Sequence, residues 1–127
     1  MSDTNFALTR IMELKQVENS AAGNITVNHT AVPLGECWVI TAIDSRDESH
    51  AVTRIEINTS NVWPWCTLAK KLAPAAGESI HWDGKLVLRS GDRISVIFTG
   101  VTAGGYLYSS IFGYRIPQFA TGSFNYE

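Results

Sequence analysis

Between Val32 and Pro117 the chain alternates apolar runs of strand length with turn chemistry, and no convincing helical period interrupts the pattern. That constrains the fold more than any other feature, because a period of two puts successive side chains on opposite faces of a sheet. Ile25, Val27, His29 and Ala31 oppose Thr26, Asn28 and Thr30. Thr53, Ile55 and Ile57 oppose Arg54 and Glu56, and Ile94, Val96 and Phe98 oppose Ser95 and Thr99. Cys37 to Ile43 is apolar on both parities and reads as a central strand. Pro33-Leu34-Gly35-Glu36, Ser90-Gly91-Asp92 and Ala103-Gly104-Gly105 read as turns. Asp83-Gly84 predicts a two-residue hairpin joining Glu78–Trp82 to Leu86 and Leu88. Asp44 to Ser49 reads as a charged loop, and Val62 to Pro74 as a long loop with a helical turn over Leu68–Leu72. About eight strands at spacings of roughly 8–12 residues predict an all-β fold, an antiparallel, jelly-roll-like β-sandwich.

The ends read differently. Phe6 to Glu18 has no single period, although Leu8, Met12 and Leu14 share strand parity. The expected organisation is an N-terminal arm and first strand over residues 1–18, a sandwich over 19–117 and a C-terminal tail over 118–127.

A chain of 127 residues makes one domain with a sizeable core. The net charge is −2 and the only basic pair is Lys70-Lys71, which argues against a nucleic-acid partner, since phosphate neutralisation needs clustered Lys and Arg. No apolar run approaches the roughly 18–20 residues that span a bilayer, and no basic-then-apolar leader opens the chain, so no membrane partner is expected. The sequons at Asn24, Asn28 and Asn58 are then chance products of a Thr- and Asn-rich β-protein. Cys37 and Cys66 are expected to be buried, reduced thiols.

Catalytic and metal-binding patterns are missing from the sequence. His29, His50 and His81 are not at ligand spacing from one another or from a cysteine, so neither a metal nor a cofactor is expected. There is no nucleophile elbow, Cys37 lies mid-strand among apolar neighbours, and Gly104-Gly105 is not followed by a phosphate-loop lysine. The residues do not point to an enzyme.

Contact candidates are aromatic. Trp63-Pro64-Trp65 forms a stiff amphipathic segment that suits either an interface anchor or a cap over one end of the sandwich. Tyr106, Tyr108, Phe112 and Tyr114 share one parity of the last strand, either as core or as a partly wet contact face. A subunit contact or a carbohydrate-binding face would suit the tyrosines. Phe6, Leu8, Ile11, Phe119, Phe124 and Tyr126 are apolar side chains in the chain ends, where they suit a grip on a partner.

Three blocks resemble a family of small virion proteins of tailed bacteriophages: Val32-Pro33-Leu34-Gly35-Glu36-Cys37-Trp38, Leu86-Val87-Leu88-Arg89-Ser90-Gly91-Asp92-Arg93-Ile94 and Tyr114-Arg115-Ile116-Pro117. In that family a V-P-x-G-x-x-W turn precedes an L-x-L-x-x-G-D-x-I/L segment and a final strand ending near I-P. The usual basic residue before the tryptophan is Cys37 here. The resemblance implies a capsid decoration (cement) protein without catalytic residues. Its partner would be the major capsid protein and its place the outer surface of the virion. A homotrimer at three-fold or quasi-three-fold positions is expected, with the two terminal arms ordering on contact. A neck or tail ring protein, or a carbohydrate- or receptor-binding module, is the alternative.

Overall fold

The computed structural model describes residues 9–60 and 66–117. Eight strands follow one another: β1 (Thr9–Val17), β2 (Gly23–Asn28), β3 (Glu36–Asp47), β4 (Arg54–Ser60), β5 (Cys66–Leu72), β6 (Ile80–Arg89), β7 (Arg93–Val101) and β8 (Leu107–Pro117). They build two antiparallel four-stranded sheets, ordered β1-β8-β3-β6 and β2-β7-β4-β5. All connections but β4–β5 cross from one sheet to the other, the winding of a jelly-roll-like sandwich.

The core lies between the sheets and follows the alternation. Ile55, Ile57, Ile94, Val96 and Phe98 from the second sheet meet Trp38, Ile40, Ile43, Leu88, Leu107 and Ile111 from the first, all buried. Their burial supplies the main drive to fold, at about 25 cal/mol per Å² of apolar surface removed from water.

Four local readings are corrected. Asp83-Gly84 does not make a hairpin, because both halves of the segment pair with β3: Trp82 faces Ile43 and Leu86 faces Ile40. The register slips between those pairs, so Gly84 sits in a mid-strand bulge at φ 155°. Glycine in a strand interior marks a bulge as readily as a turn. Cys66–Leu72 is not a helical turn but edge strand β5, laddered onto β4 alone. Non-local pairing outweighs the helix preference of Leu-Ala-Lys-Lys-Leu, and its lysines suit a strand that must not recruit neighbours. The Asp44–Ser49 loop is shorter than expected: β3 runs to Asp47, which is buried and caps its own turn by accepting N–H bonds from Ser49 (2.9 Å) and His50 (3.0 Å). The thiols are not both buried, since Cys66 is exposed and Cys37 is half-buried.

Gly113 on β8 is required by packing. A Cβ there would collide with the Val39 carbonyl and crowd Ile40 Cα on β3. This is where Thr41 bulges out of the β3–β8 ladder, between Ile40–Gly113 and Ala42–Phe112.

Candidate functional site

The resemblance blocks meet at one end of the sandwich. Val32 donates its N–H to Asp92 O (2.8 Å), and Gly91 donates its N–H to Val32 O (2.9 Å). Ser90 Oγ donates to Pro33 O (3.0 Å) and accepts the Gly35 N–H (3.1 Å). Asp92 Oδ2 accepts the Arg89 N–H (2.9 Å) and closes its own turn. The third block joins them through the ladder, with Ile116 opposite Cys37 and Pro117 opposite Glu36. Trp38 donates its indole N–H to Glu36 Oε1 (2.9 Å), and the other carboxylate oxygen lies 3.6 Å from Arg115. These motifs therefore build a corner; they do not gather reactive groups.

A second constellation is buried. His29 Nδ1 lies 2.8 Å from Glu13 Oε1, and Nε2 lies 2.7 Å from Ser109 Oγ. Ser45 Oγ donates to Ser109 Oγ (2.9 Å). Glu13 also accepts bonds from the backbone and hydroxyl of Thr30. Burial would raise the Glu13 carboxyl, but the Thr30 and His29 bonds outweigh it and hold it below its ordinary value. Burial pushes the His29 imidazole down against the pull of Glu13. A carboxylate only accepts, so the neutral ring donates from Nδ1 to Glu13 and accepts at Nε2 from Ser109. The order acid–histidine–serine is that of a hydrolase triad. Here Ser109 is 0% and His29 1% exposed, so a substrate has no approach to the hydroxyl. The chain ties β1, β3 and β8 of one sheet to the end of β2 in the other.

The surface feature that stands out is the outer face of the β1-β8-β3-β6 sheet. Leu107, Ser109 and Ile111 point into the core, which turns Tyr106, Tyr108, Phe112 and Tyr114 outward. Met12 on β1 stands opposite Phe112, and Val39 on β3 stands between Tyr114 and Val87. Met12 is 70%, Val87 55%, Leu14 45%, Phe112 37% and Ile116 37% exposed, so among the described residues five of the eight exposed large hydrophobics lie on strands of this one face. A groove beside β8 is lined by Arg10, Met12, Thr41 and Gly113. At one end Tyr106 stacks on Tyr108 with ring centroids 6.1 Å apart. The Arg46 guanidinium covers Tyr108 at 4.9 Å while bonded to Glu48 (2.6 Å).

Among the contact candidates, Tyr106 and Tyr108 lie on this face. Ile11 is half-buried, packs against the core and edges the groove. Phe6, Leu8, Trp63, Pro64, Trp65, Phe119, Phe124 and Tyr126 lie outside the described residues. Met12, Leu14, Val87 and Ile116 were not among the candidates. The parity shared by Met12 and Leu14 was the available signal, and it became decisive only once β1 was seen to be a strand of this sheet. Among the described residues no three His, Cys, Asp or Glu side chains cluster so as to hold a metal ion.

Neither the protein-family models nor the curated proteins give a match. Solved structures do. A chain of the acidic stable capsid of Helicobacter pylori bacteriophage KHP30 superposes with TM-score 0.61 at 7% identity, covering 84% of this chain and 87% of that one. A chain of the cyanophage Pam1 capsid asymmetric unit gives TM-score 0.51 at 12% identity, covering 87% and 86%. At such identities the likeness is one of fold.

Proposed function

We propose that this chain is a non-enzymatic structural protein of a phage virion, and more narrowly a capsid decoration protein that binds across major capsid subunits on the outer surface of the head. The observation that carries the reading is the near end-to-end fold match to a phage capsid chain, over 84% of one and 87% of the other. The corner built by Val32–Pro33, Ser90–Asp92 and Ile116–Pro117 supports it, because those are the blocks that resemble the phage family.

The mechanism is contact. A rigid sandwich laid over the joint between two capsid subunits adds interface area to each, and repetition over the shell multiplies a modest gain per joint. Residues 1–8 and 118–127, with Phe6, Leu8, Phe119, Phe124 and Tyr126, extend that grip. The segment Trp63-Pro64-Trp65 supplies a further anchor.

Co-sedimentation tests this. The full chain mixed with capsid shells that lack it should pellet with them, and deletion of residues 1–8 or 118–127 should weaken binding by about tenfold or more. A folded chain that stays in the supernatant with every shell preparation contradicts the reading.

A further inference from the structure

We propose that the chain docks end-on, through the corner that joins Val32–Gly35, Ser90–Gly91 and Ile116–Pro117, with Leu34 seated in an acid-rimmed apolar pocket of the capsid subunit. The inference rests on the virion reading and adds which surface meets the shell and what chemistry receives it.

Both chain ends leave from this corner. Thr9 opens β1 opposite Arg115, and Pro117 closes β8 opposite Glu36. The eight residues before Thr9 and the ten after Pro117 are therefore attached side by side, on adjacent strands. Ser60 closes β4 opposite Arg93, so the connection to β5 starts from the same end. Fully extended, eight residues span at most about 29 Å, roughly the length of nine-residue β1. Arms rooted here thus favour a partner beside this end of the sandwich over one beyond the opposite end.

The corner carries a knob. Leu34 stands at the tip of the Pro33–Glu36 turn, which the Glu36 N–H closes on Pro33 O (3.1 Å) and Gly35 permits at φ 84°. It is 94% exposed, more than any other large hydrophobic side chain among the described residues. Turn tips ordinarily carry Gly, Pro, Asn, Asp or Ser, and a leucine left in water contributes little to folding. The turn is braced from both sides. Ser90 Oγ donates to Pro33 O and accepts the Gly35 N–H, while Val32 is tied through both backbone groups to Asp92 and Gly91. A side chain on so braced a turn gives up little freedom on docking. Ile116, 37% exposed, adds apolar surface at the same end.

Charge selects the receiving surface. The two carboxylates of the corner are engaged within it. Glu36 accepts the Trp38 indole N–H and lies 3.6 Å from Arg115, and buried Asp92 accepts the Arg89 N–H. Arg89, exposed, and Arg93, half-buried, flank the Ser90–Asp92 turn. The outward charge of the corner is thus basic among the described residues, and it fits carboxylates around the pocket that takes Leu34.

Co-sedimentation of point variants of the full chain with capsid shells that lack it tests the orientation. Leu34→Asp should weaken binding about tenfold or more and Arg89→Glu several-fold, each with the wild-type urea midpoint. Ala76→Asp, exposed in the β5–β6 connection at the opposite end, should bind as wild type. A wild type that pellets while Leu34→Asp and Arg89→Glu pellet equally well overturns the end-on corner and leaves the virion reading standing. Binding lost with Phe112→Glu but kept with Leu34→Asp moves docking to the sheet face and overturns it too. Tighter binding of Arg89→Glu overturns the acidic rim. A wild type that pellets with no shell contradicts the virion reading, and this inference with it.

Discussion

Ser109 and His29 lie 80 residues apart in sequence and 2.7 Å apart in space, joined inside the sandwich where neither meets solvent. The same pair on an open surface would suggest a nucleophile and its base. Buried and linked onward to Glu13 and Ser45, it holds β1, β3 and β8 to the end of β2. Ser109→Ala should cost about 1–3 kcal/mol, because His29 Nε2 loses its donor. Urea unfolding followed by tryptophan fluorescence measures this, and a loss below a few tenths would show that the chain is not a strut.

Acid should destabilise the fold through the same chain. The His29 pKa in the folded state is below its ordinary 6.5, and that of Glu13 is below its ordinary 4.5. For each group the unfolded state binds more protons within the shifted window, so stability rises with pH there. The His29 contribution is complete above about pH 6.5 and is lost as pH falls through the lower folded value. The Glu13 contribution is complete above about pH 4.5 and is lost below it in the same way. The urea midpoint should therefore drop between pH 7 and pH 5, and His29→Gln should flatten that slope. An equal slope in the variant would place the titration elsewhere.

Gly113 admits no side chain. Gly113→Ala forces a methyl into the Val39 carbonyl on the neighbouring strand, and backbone cannot swing aside as a flexible side chain would. The expected loss is about 3 kcal/mol or more, set by displacement of the β3–β8 ladder. Thermal unfolding of the variant measures it, and a melting temperature within a degree or two of wild type would contradict the packing.

Asp92 holds the corner where the motifs meet. It is buried, and its carboxylate receives the Arg89 N–H. Asp92→Ala should cost about 1–3 kcal/mol in urea unfolding, from a backbone donor left without its partner. A neutral result would mean that water replaces the carboxylate.

The two thiols should react at different rates. Cys66 is exposed on edge strand β5 and Cys37 is half-buried on β3. A thiol-exchange assay on the native chain should show a fast phase that Cys66→Ser removes and a slower one that remains. A single fast phase left in Cys66→Ser would contradict this order.

The sandwich was legible where burial on one face wrote a period of two, as in Ile55–Ile57 and Ile94–Val96–Phe98. It was misread where long-range pairing decided the outcome. Asp83-Gly84 has hairpin chemistry, yet β3 lies alongside both flanks and turns it into a bulge. Lys70 and Lys71 suggest a helical turn until β4 supplies a ladder. His29 fell on the inward parity, but its partners Glu13 and Ser109 are 16 and 80 positions away, beyond any local pattern. The contact face was half visible: the aromatic parity of β8 was plain, while its outward direction depended on which parity the second sheet covers.

Cryo-electron microscopy of phage particles purified from a host that makes this chain tests the central claim most directly. The decoration reading predicts many copies spread over the outer shell, each bridging neighbouring capsid subunits. A single ring at one vertex would contradict decoration and make it a neck or tail component, and absence of the chain from the particle would contradict the virion role altogether.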